Sequence, residues 1–295
     1  MTPLRRHAFF ALFIAATILV FLKPVRALAA LAMDLSESHL SHVGLIPLMS
    51  AVLIFWNRER IFRDLRPSVV PAAAAFLIGG LLSYLGWTYE ARGESSNYLA
   101  AMTAAMAFFW YGGFLVIYGA QAFKAALFPL LFLGMMIPLP DGMLTAFVRM
   151  LQMGSAEMVA ILFAVTGTPA YRANDIVFAL PNLTIEVAEA CSGIRSTLVM
   201  LIITLLAAYL SLKSNWKRTA LLLAVIPISL FKNAVRIVTL TLLAIHYDMG
   251  FITGSLHHEG GVVFMAAGLV LMYPLLALLV RSEDKKKFIE AGVRS

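Results

Sequence analysis

Apolar residues gather into runs at about 8–31, 43–56, 69–87, 99–119, 122–137, 192–212, 219–245 and 261–280, separated by polar or Pro/Gly breaks. A helix needs about 20 apolar residues to cross ~30 Å of hydrocarbon, so the pattern predicts eight spans. The second and fifth are short enough to call for tilt, local thinning or re-entry. Met143–Thr166 is helical in period but carries Arg149, Gln152 and Glu157 near its middle. A crossing there would invert every later helix, so it is expected to lie on the outer interface as an amphipathic helix or to re-enter. The only β-like stretch follows, Ile176–Leu180 and Leu183–Val187 around Pro181 and Asn182. Its alternation predicts a small hairpin leading into Cys191. The expected fold is thus an all-α polytopic membrane protein with about eight transmembrane helices, an interfacial helix and a small extracytoplasmic β-hairpin. One integral membrane domain covers 1–295, with residues 143–190 as its extracytoplasmic part and 281–295 as a charged cytoplasmic tail. Arg5 and Arg6 before the first run imitate a signal peptide, but no convincing cleavage site follows, and an uncleaved first helix is expected.

Composition agrees with this class. Apolar residues make up 61% and charged residues 13%, against roughly 45–50% and 25% in soluble domains, which excludes a soluble enzyme. The net charge of +7 would suit nucleic acid, yet the basic residues sort by membrane side instead. With the N-terminus inside, the cytoplasmic segments hold Arg5, Arg6, Arg58, Arg60, Arg63, Arg66, Lys124, Lys213, Lys217, Arg218, Arg281, Lys285, Lys286, Lys287 and Arg294, fifteen of the 23. Most acidic residues, Asp34, Glu37, Glu90, Glu94, Asp141 and Asp248 among them, fall on the other side. The positive-inside rule then places both termini in the cytoplasm, and nucleic acid is not an expected partner. The single cysteine, Cys191, excludes an intramolecular disulfide and a cysteine-rich zinc cage.

Candidate chemistry gathers at the expected outer ends of the last three spans. Glu189-Ala190-Cys191-Ser192-Gly193-Ile194-Arg195-Ser196 opens the sixth. A helix N-terminus stabilises a thiolate, Ser192 suits an N-cap, and Gly193 would let a substrate approach the backbone. Arg236 lies 18 residues after Arg218, about 27 Å along a helix and so near the outer surface. Asn233 shares its face, and Lys232 is read as a snorkelling neighbour. His257, His258 and Glu259 open the eighth span, where a histidine could exchange a proton with a thiol or a leaving amine. A buried structural thiol, a snorkelling arginine and a solvated histidine are the plain alternatives. Convergence of three helices at one depth favours a site. A zinc site built from His39, His42, His246, His257 and His258 would need no cysteine, but the spacing signal is weak, and no metal or other cofactor is expected. Gly79-Gly80 and Gly112-Gly113 are read as helix-packing surfaces.

These motifs resemble the exosortase/archaeosortase family of polytopic membrane cysteine transpeptidases. The likeness rests on Val187 to Ser196, on Asn233-Ala234-Val235-Arg236-Ile237, on His257-His258-Glu259-Gly260-Gly261 and on Ser41-His42-Val43-Gly44-Leu45-Ile46-Pro47, and covers roughly residues 38–280. It implies Cys191 as nucleophile, Arg236 as the arginine and a C-terminal histidine as the third member. His257 stands four residues before Gly261 as the family pattern asks, and adjacent His258 competes for the role. Ser192, Gly193, Arg195, Asn233, Glu189 and His42 are supporting residues. The resemblance also implies the substrate: a C-terminal sorting tail of short motif, hydrophobic helix and basic cluster, cut near the motif and passed to a surface acceptor such as extracellular polysaccharide or lipid.

The residue types suit acyl transfer through a Cys191 thiolate, with Arg236 on the developing charge and His257 protonating the amine. A polytopic transporter is the alternative from another class and predicts polar residues through the whole bilayer depth. A membrane acyltransferase acting on lipid or glycan would not need Cys191.

Overall fold

The computed structural model describes residues 3–33, 40–181, 183–188, 192–253 and 261–292. Its helices are α1 (Pro3–Val20), α2 (Leu22–Met33), α3 (Leu45–Trp56), α4 (Arg58–Ile61), α5 (Val69–Ala91), α6 (Ser95–Ile117), α7 (Ala120–Ala125), α8 (Leu127–Phe132) with a 3-10 turn (Leu133–Met136), and α9 (Asp141–Val165). Strands β1 (Tyr171–Arg172), β2 (Val177–Leu180) and β3 (Leu183–Glu186) follow, then α10 (Ile194–Ser211), α11 (Asn215–Leu223), α12 (Val225–His246), α13 (Gly250–Thr253) and α14 (Gly261–Gly292).

Among the described residues six helices are long and apolar enough to cross a membrane: α5, α6, α9, α10, the α11–α12 pair and α14. The α1–α2 pair, bent by 84°, makes a seventh if it counts as one span. The protein is therefore a multi-pass helical membrane protein, and the expected eight spans are an approximate count. Two of them, α3 and the Leu127–Met136 segment, are shorter apolar helices. α9, expected on the interface, passes the same test of length and composition.

Three apolar runs break next to a proline, whereas Pro274 lies inside α14 without dividing it. Pro24, Pro129 and Pro227 each occupy the third position of their helix, α2, α8 and α12. There the missing N–H has no intrahelical acceptor to lose. The ring would clash with the carbonyl four residues back, and that residue is Val20, Ala125 or Leu223, the last of the preceding helix in each case. The runs that read as single spans at 8–31, 122–137 and 219–245 are thus each divided.

The chain forms two compact units, Met1–Leu144 and Thr145–Ser295. In the first, α5 and α6 form a tight antiparallel pair around small residues. A Cβ on Gly112 would stand 2.6 Å from Phe76, and one on Gly79 3.1 Å from Phe109. Gly113 packs equally closely on Phe13 of α1, at 2.4 Å. These glycines do pack helices, whereas a Cβ on Gly80 would meet nothing within 4 Å. Arg6 caps the C-terminal end of α6, donating from Nη1 to the carbonyls of Ile117 (2.9 Å) and Leu65 (3.3 Å). His7 meets the Tyr118 hydroxyl at 2.9 Å. Beside them Gly119, at φ +92°, bridges Arg66 so closely that a Cβ would lie 1.7 Å from the Arg66 carbonyl oxygen. At the other end Lys23 pairs with Glu90, and the Asp141 N–H donates to Asn97 Oδ1 at 2.9 Å. The broken α7–α8 segment thus carries the chain from the Arg6 end back to the Glu90 end. Ser50 and Tyr111 donate to the carbonyls of Pro129 and Leu130, at 2.7 and 2.8 Å, satisfying groups that an irregular backbone leaves open.

In the second unit the strands form one antiparallel sheet in the order β1-β2-β3. The expected hairpin is present as β2–β3. β1, at two residues too short to show alternation, was not anticipated, and Asn182 of the turn lies outside the described residues. α9 packs Ala156, Val159 and Phe163 against Phe178, Leu180 and Val187 of the sheet region and Ala234 and Val238 of α12. The opposite end of α10 is tied to α14. Glu283 accepts from the Lys213 and Ser214 N–H groups, at 3.0 and 2.9 Å, and Lys217 Nζ donates to Ser282 Oγ at 2.7 Å.

Candidate active site

The site builds from Gly193, which caps the start of α10 in the left-handed region, at φ +75° and ψ 16°. A side chain is disfavoured there twice, by that conformation and because a Cβ would meet Asn233 Oδ1 at 3.0 Å. The expected close approach at Gly193 is therefore filled by a residue of α12 rather than left open for a substrate. Ser192 was expected as N-cap, yet it stands one position earlier. It is buried, and its Oγ accepts from the Ile194 N–H at a long 3.4 Å. The Gly193 carbonyl receives the Thr197 N–H (2.9 Å), the Thr197 hydroxyl (2.9 Å) and the Ser196 hydroxyl (3.0 Å). The turn directly after Cys191 is pinned from both sides.

Asn233, 2% exposed, reaches across to α9 and donates from Nδ2 to Ser155 Oγ at 3.0 Å. α9 can come this close because Gly154 faces Leu230, with 2.7 Å between its would-be Cβ and that side chain. Next to Asn233, Lys232 is 4% exposed and donates to Ser196 Oγ. This corrects the snorkelling role expected for it. α14 offers Gly268 at that position, where a Cβ would be 3.3 Å from Lys232 Cδ, so the long stem packs between helices instead of reaching for an interface. Lys232, Ser196 and Ser155 were missed as site residues. The available signal was the i, i+4 spacing of Lys232 and Arg236 on one face of a span.

Arg236 and Arg195 lie on the same two helices, half-buried. Cys191, Glu189, His257 and His258 lie outside the described residues, and His42 belongs to the first unit, half-buried in the turn before α3. Among the described residues no three His, Cys, Asp or Glu side chains come together as metal ligands would. Ser155 of α9, Ser196 of α10 and Lys232 and Asn233 of α12 thus form polar contacts beside the Gly193 turn, which follows a lone cysteine. That combination, in a multi-pass helical protein, can fix a helix-start backbone and present positive charge to an anion.

A family model described as transmembrane exosortase (Exosortase_EpsH) matches residues 32–274. The chain belongs to this family of cysteine-type membrane proteases and transpeptidases, and a membrane transpeptidase-type role follows in general terms. No curated protein and no solved structure matches it.

Proposed function

We propose that the chain is a membrane-embedded cysteine transpeptidase that cuts C-terminal sorting tails of exported proteins and passes them to a surface acceptor. The observation that carries this reading is the contact between two motif segments 40 residues apart. Gly193, two residues after Cys191, is packed against Asn233, one turn before Arg236. In the proposed reaction the Cys191 thiolate adds to the peptide carbonyl, and the carbonyl electrons move to oxygen, where the Arg236 guanidinium stabilises the charge. Collapse breaks the C–N bond, His257 (or adjacent His258) gives the departing amine its proton, and an acyl thioester remains. An acceptor nucleophile, or water, then releases the acyl group and frees the thiolate. Low water access at a lipid boundary favours transfer over hydrolysis.

In this reading the site faces the extracytoplasmic side, with both termini in the cytoplasm. Charge sorting within each unit supports this. In the first unit Arg6 and Arg66 share one end while Glu90 and Asp141 mark the other. In the second, Lys213, Lys217 and Arg218 stand at the far end of α10 from Gly193, about 27 Å away along 18 residues. An interfacial place for α9 is supported by its polar residues. Arg149 pairs with Asp175 and Glu157 with Arg172, both at 2.8 Å, which ties the middle of the helix to exposed parts of the sheet segment. Expressed with an exported reporter that carries a motif–helix–basic tail, the wild-type protein should release the tail. Cys191→Ala should release none while accumulating normally in the membrane. Continued processing by that variant would remove the nucleophile assignment.

A further inference from the structure

We infer that the edge of strand β3 that pairs with no other strand among the described residues is the binding site for the extended sorting motif of the substrate, which adds to the sheet as a fourth strand. This rests on the transpeptidase reading above and names how its peptide is held. The ladder decides which main-chain groups are available. The Val187 N–H donates to the Ile176 carbonyl at 2.9 Å, which makes that a hydrogen-bonded pair. Bonded and non-bonded pairs alternate along an antiparallel ladder. With Phe178 opposite Ile185 and Leu180 opposite Leu183, those two β3 residues therefore turn their N–H and C=O groups toward β2. Thr184 and Glu186, opposite Ala179 and Val177, turn theirs the other way. They present two donors and two acceptors at a two-residue spacing, the pattern that an added strand reads.

The side chains agree with the ladder. Leu183 and Ile185 are half-buried, while Thr184 and Glu186 are exposed. The sheet's opposite edge is short. β1 has two residues, and Arg172 donates to the Asn174 and Asp175 carbonyls, at 3.2 and 2.6 Å, while its guanidinium lies over Phe178. β3 is also held firmly enough to serve as a template. Val187 is fully buried, and its carbonyl accepts from Gln152 Nε2 of α9 at 2.9 Å. Finally, β3 lies close to Cys191 along the chain. Cys191 is the fifth residue after Glu186, at most about 17 Å of extended chain, so a peptide paired along Thr184–Glu186 has its next residues within reach of the thiol. Main-chain pairing would supply affinity independent of side chains, leaving motif specificity to the pockets beside the cut.

The test uses the full-length protein in membranes and an exported reporter fused to the motif, hydrophobic helix and basic cluster of a protein encoded beside it. Thr184→Pro and Glu186→Pro each remove a donor that faces outward and breaks no β2 bond, the setting in which an edge strand accepts proline. Each should process the reporter at least about fivefold more slowly than the matching Thr184→Ala or Glu186→Ala, the effect of one hydrogen bond. Equal rates for the proline and alanine forms would overturn the proposal. If the proline variants do not accumulate, a photo-cross-linking residue at Thr184 in the Cys191→Ala protein decides. Adducts should map to the reporter residues just before its helix, and adducts elsewhere or none would overturn strand addition. Cross-linking at those residues without processing by wild type would instead uphold the edge and sink the transpeptidase chemistry.

Discussion

Lys232 sits 4% exposed among α10, α12 and α14, and its hydrogen bond among the described residues goes to the neutral Ser196 hydroxyl. Burying an ammonium without a carboxylate is costly, and ionisable groups inside spans are retained where they serve a site. Arg236 follows one turn later, so the α12 face beside Gly193 carries two cations where one would serve a snorkelling anchor. Their shapes give them different work. An ammonium acts as a point charge, whereas the planar guanidinium offers two parallel donors to a thiolate or an oxyanion. Arg236→Lys is therefore expected to lower tail processing by about 10² to 10³, the effect of one electrostatic donor at an oxyanion, with the membrane level of the enzyme unchanged. Processing rates in matched membranes check it, with His257→Ala and His258→Ala alongside. Near-normal turnover of the lysine form would reduce Arg236 to an anchor, and an inactive His258→Ala beside an active His257→Ala would move the proton donor by one residue.

Among the elements, small residues do the packing that a hydrophobic driving force cannot provide between helices in lipid. Gly112 sits where a Cβ would be 2.6 Å from the Phe76 ring, whereas Gly80, on the partner helix α5, faces open space. Gly112→Val should lower the unfolding midpoint in detergent by an amount corresponding to about 1–3 kcal/mol of overpacking, and Gly80→Val should leave it nearly unchanged. Equal midpoints would mean that α5 and α6 separate freely. Gly79, Gly112 and Gly113, though not Gly80, were legible in the sequence as packing positions, and so were the apolar runs, the hairpin and the polar character of α9. The interruptions left a trace there too, since Pro24, Pro129 and Pro227 each stand at the third position of a new helix, but hydropathy averaged over a run conceals them. The cluster was legible only in part. Gly193, Asn233 and Arg236 announced themselves by residue type at a helix start or within a span. The burial of Lys232 depends on the space that Gly268 leaves some 36 residues later, and Ser155 enters because Gly154 admits Leu230. No periodicity carries such pairings across helices.

Over the whole molecule, both units sort charge the same way, and this makes the sidedness of the site testable without a substrate. Arg6 and Arg66 at one end of the first unit, and Lys213, Lys217 and Arg218 at one end of the second, are the residues that the positive-inside rule retains in the cytoplasm. Gly193 caps α10 at its other end, so the proposed reading predicts that Cys191, two residues earlier, is extracytoplasmic. Because it is the only cysteine of the chain, labelling is unambiguous. A membrane-impermeant maleimide added to intact cells should modify the protein, and Cys191→Ala should remain unlabelled. Reporters fused to either terminus should score as cytoplasmic. The discriminating result is labelling that appears only after the cells are permeabilised, together with external terminal reporters. That would invert the topology, put the basic ends of both units outside, and leave an exported substrate's motif on the wrong side of the membrane from the thiol.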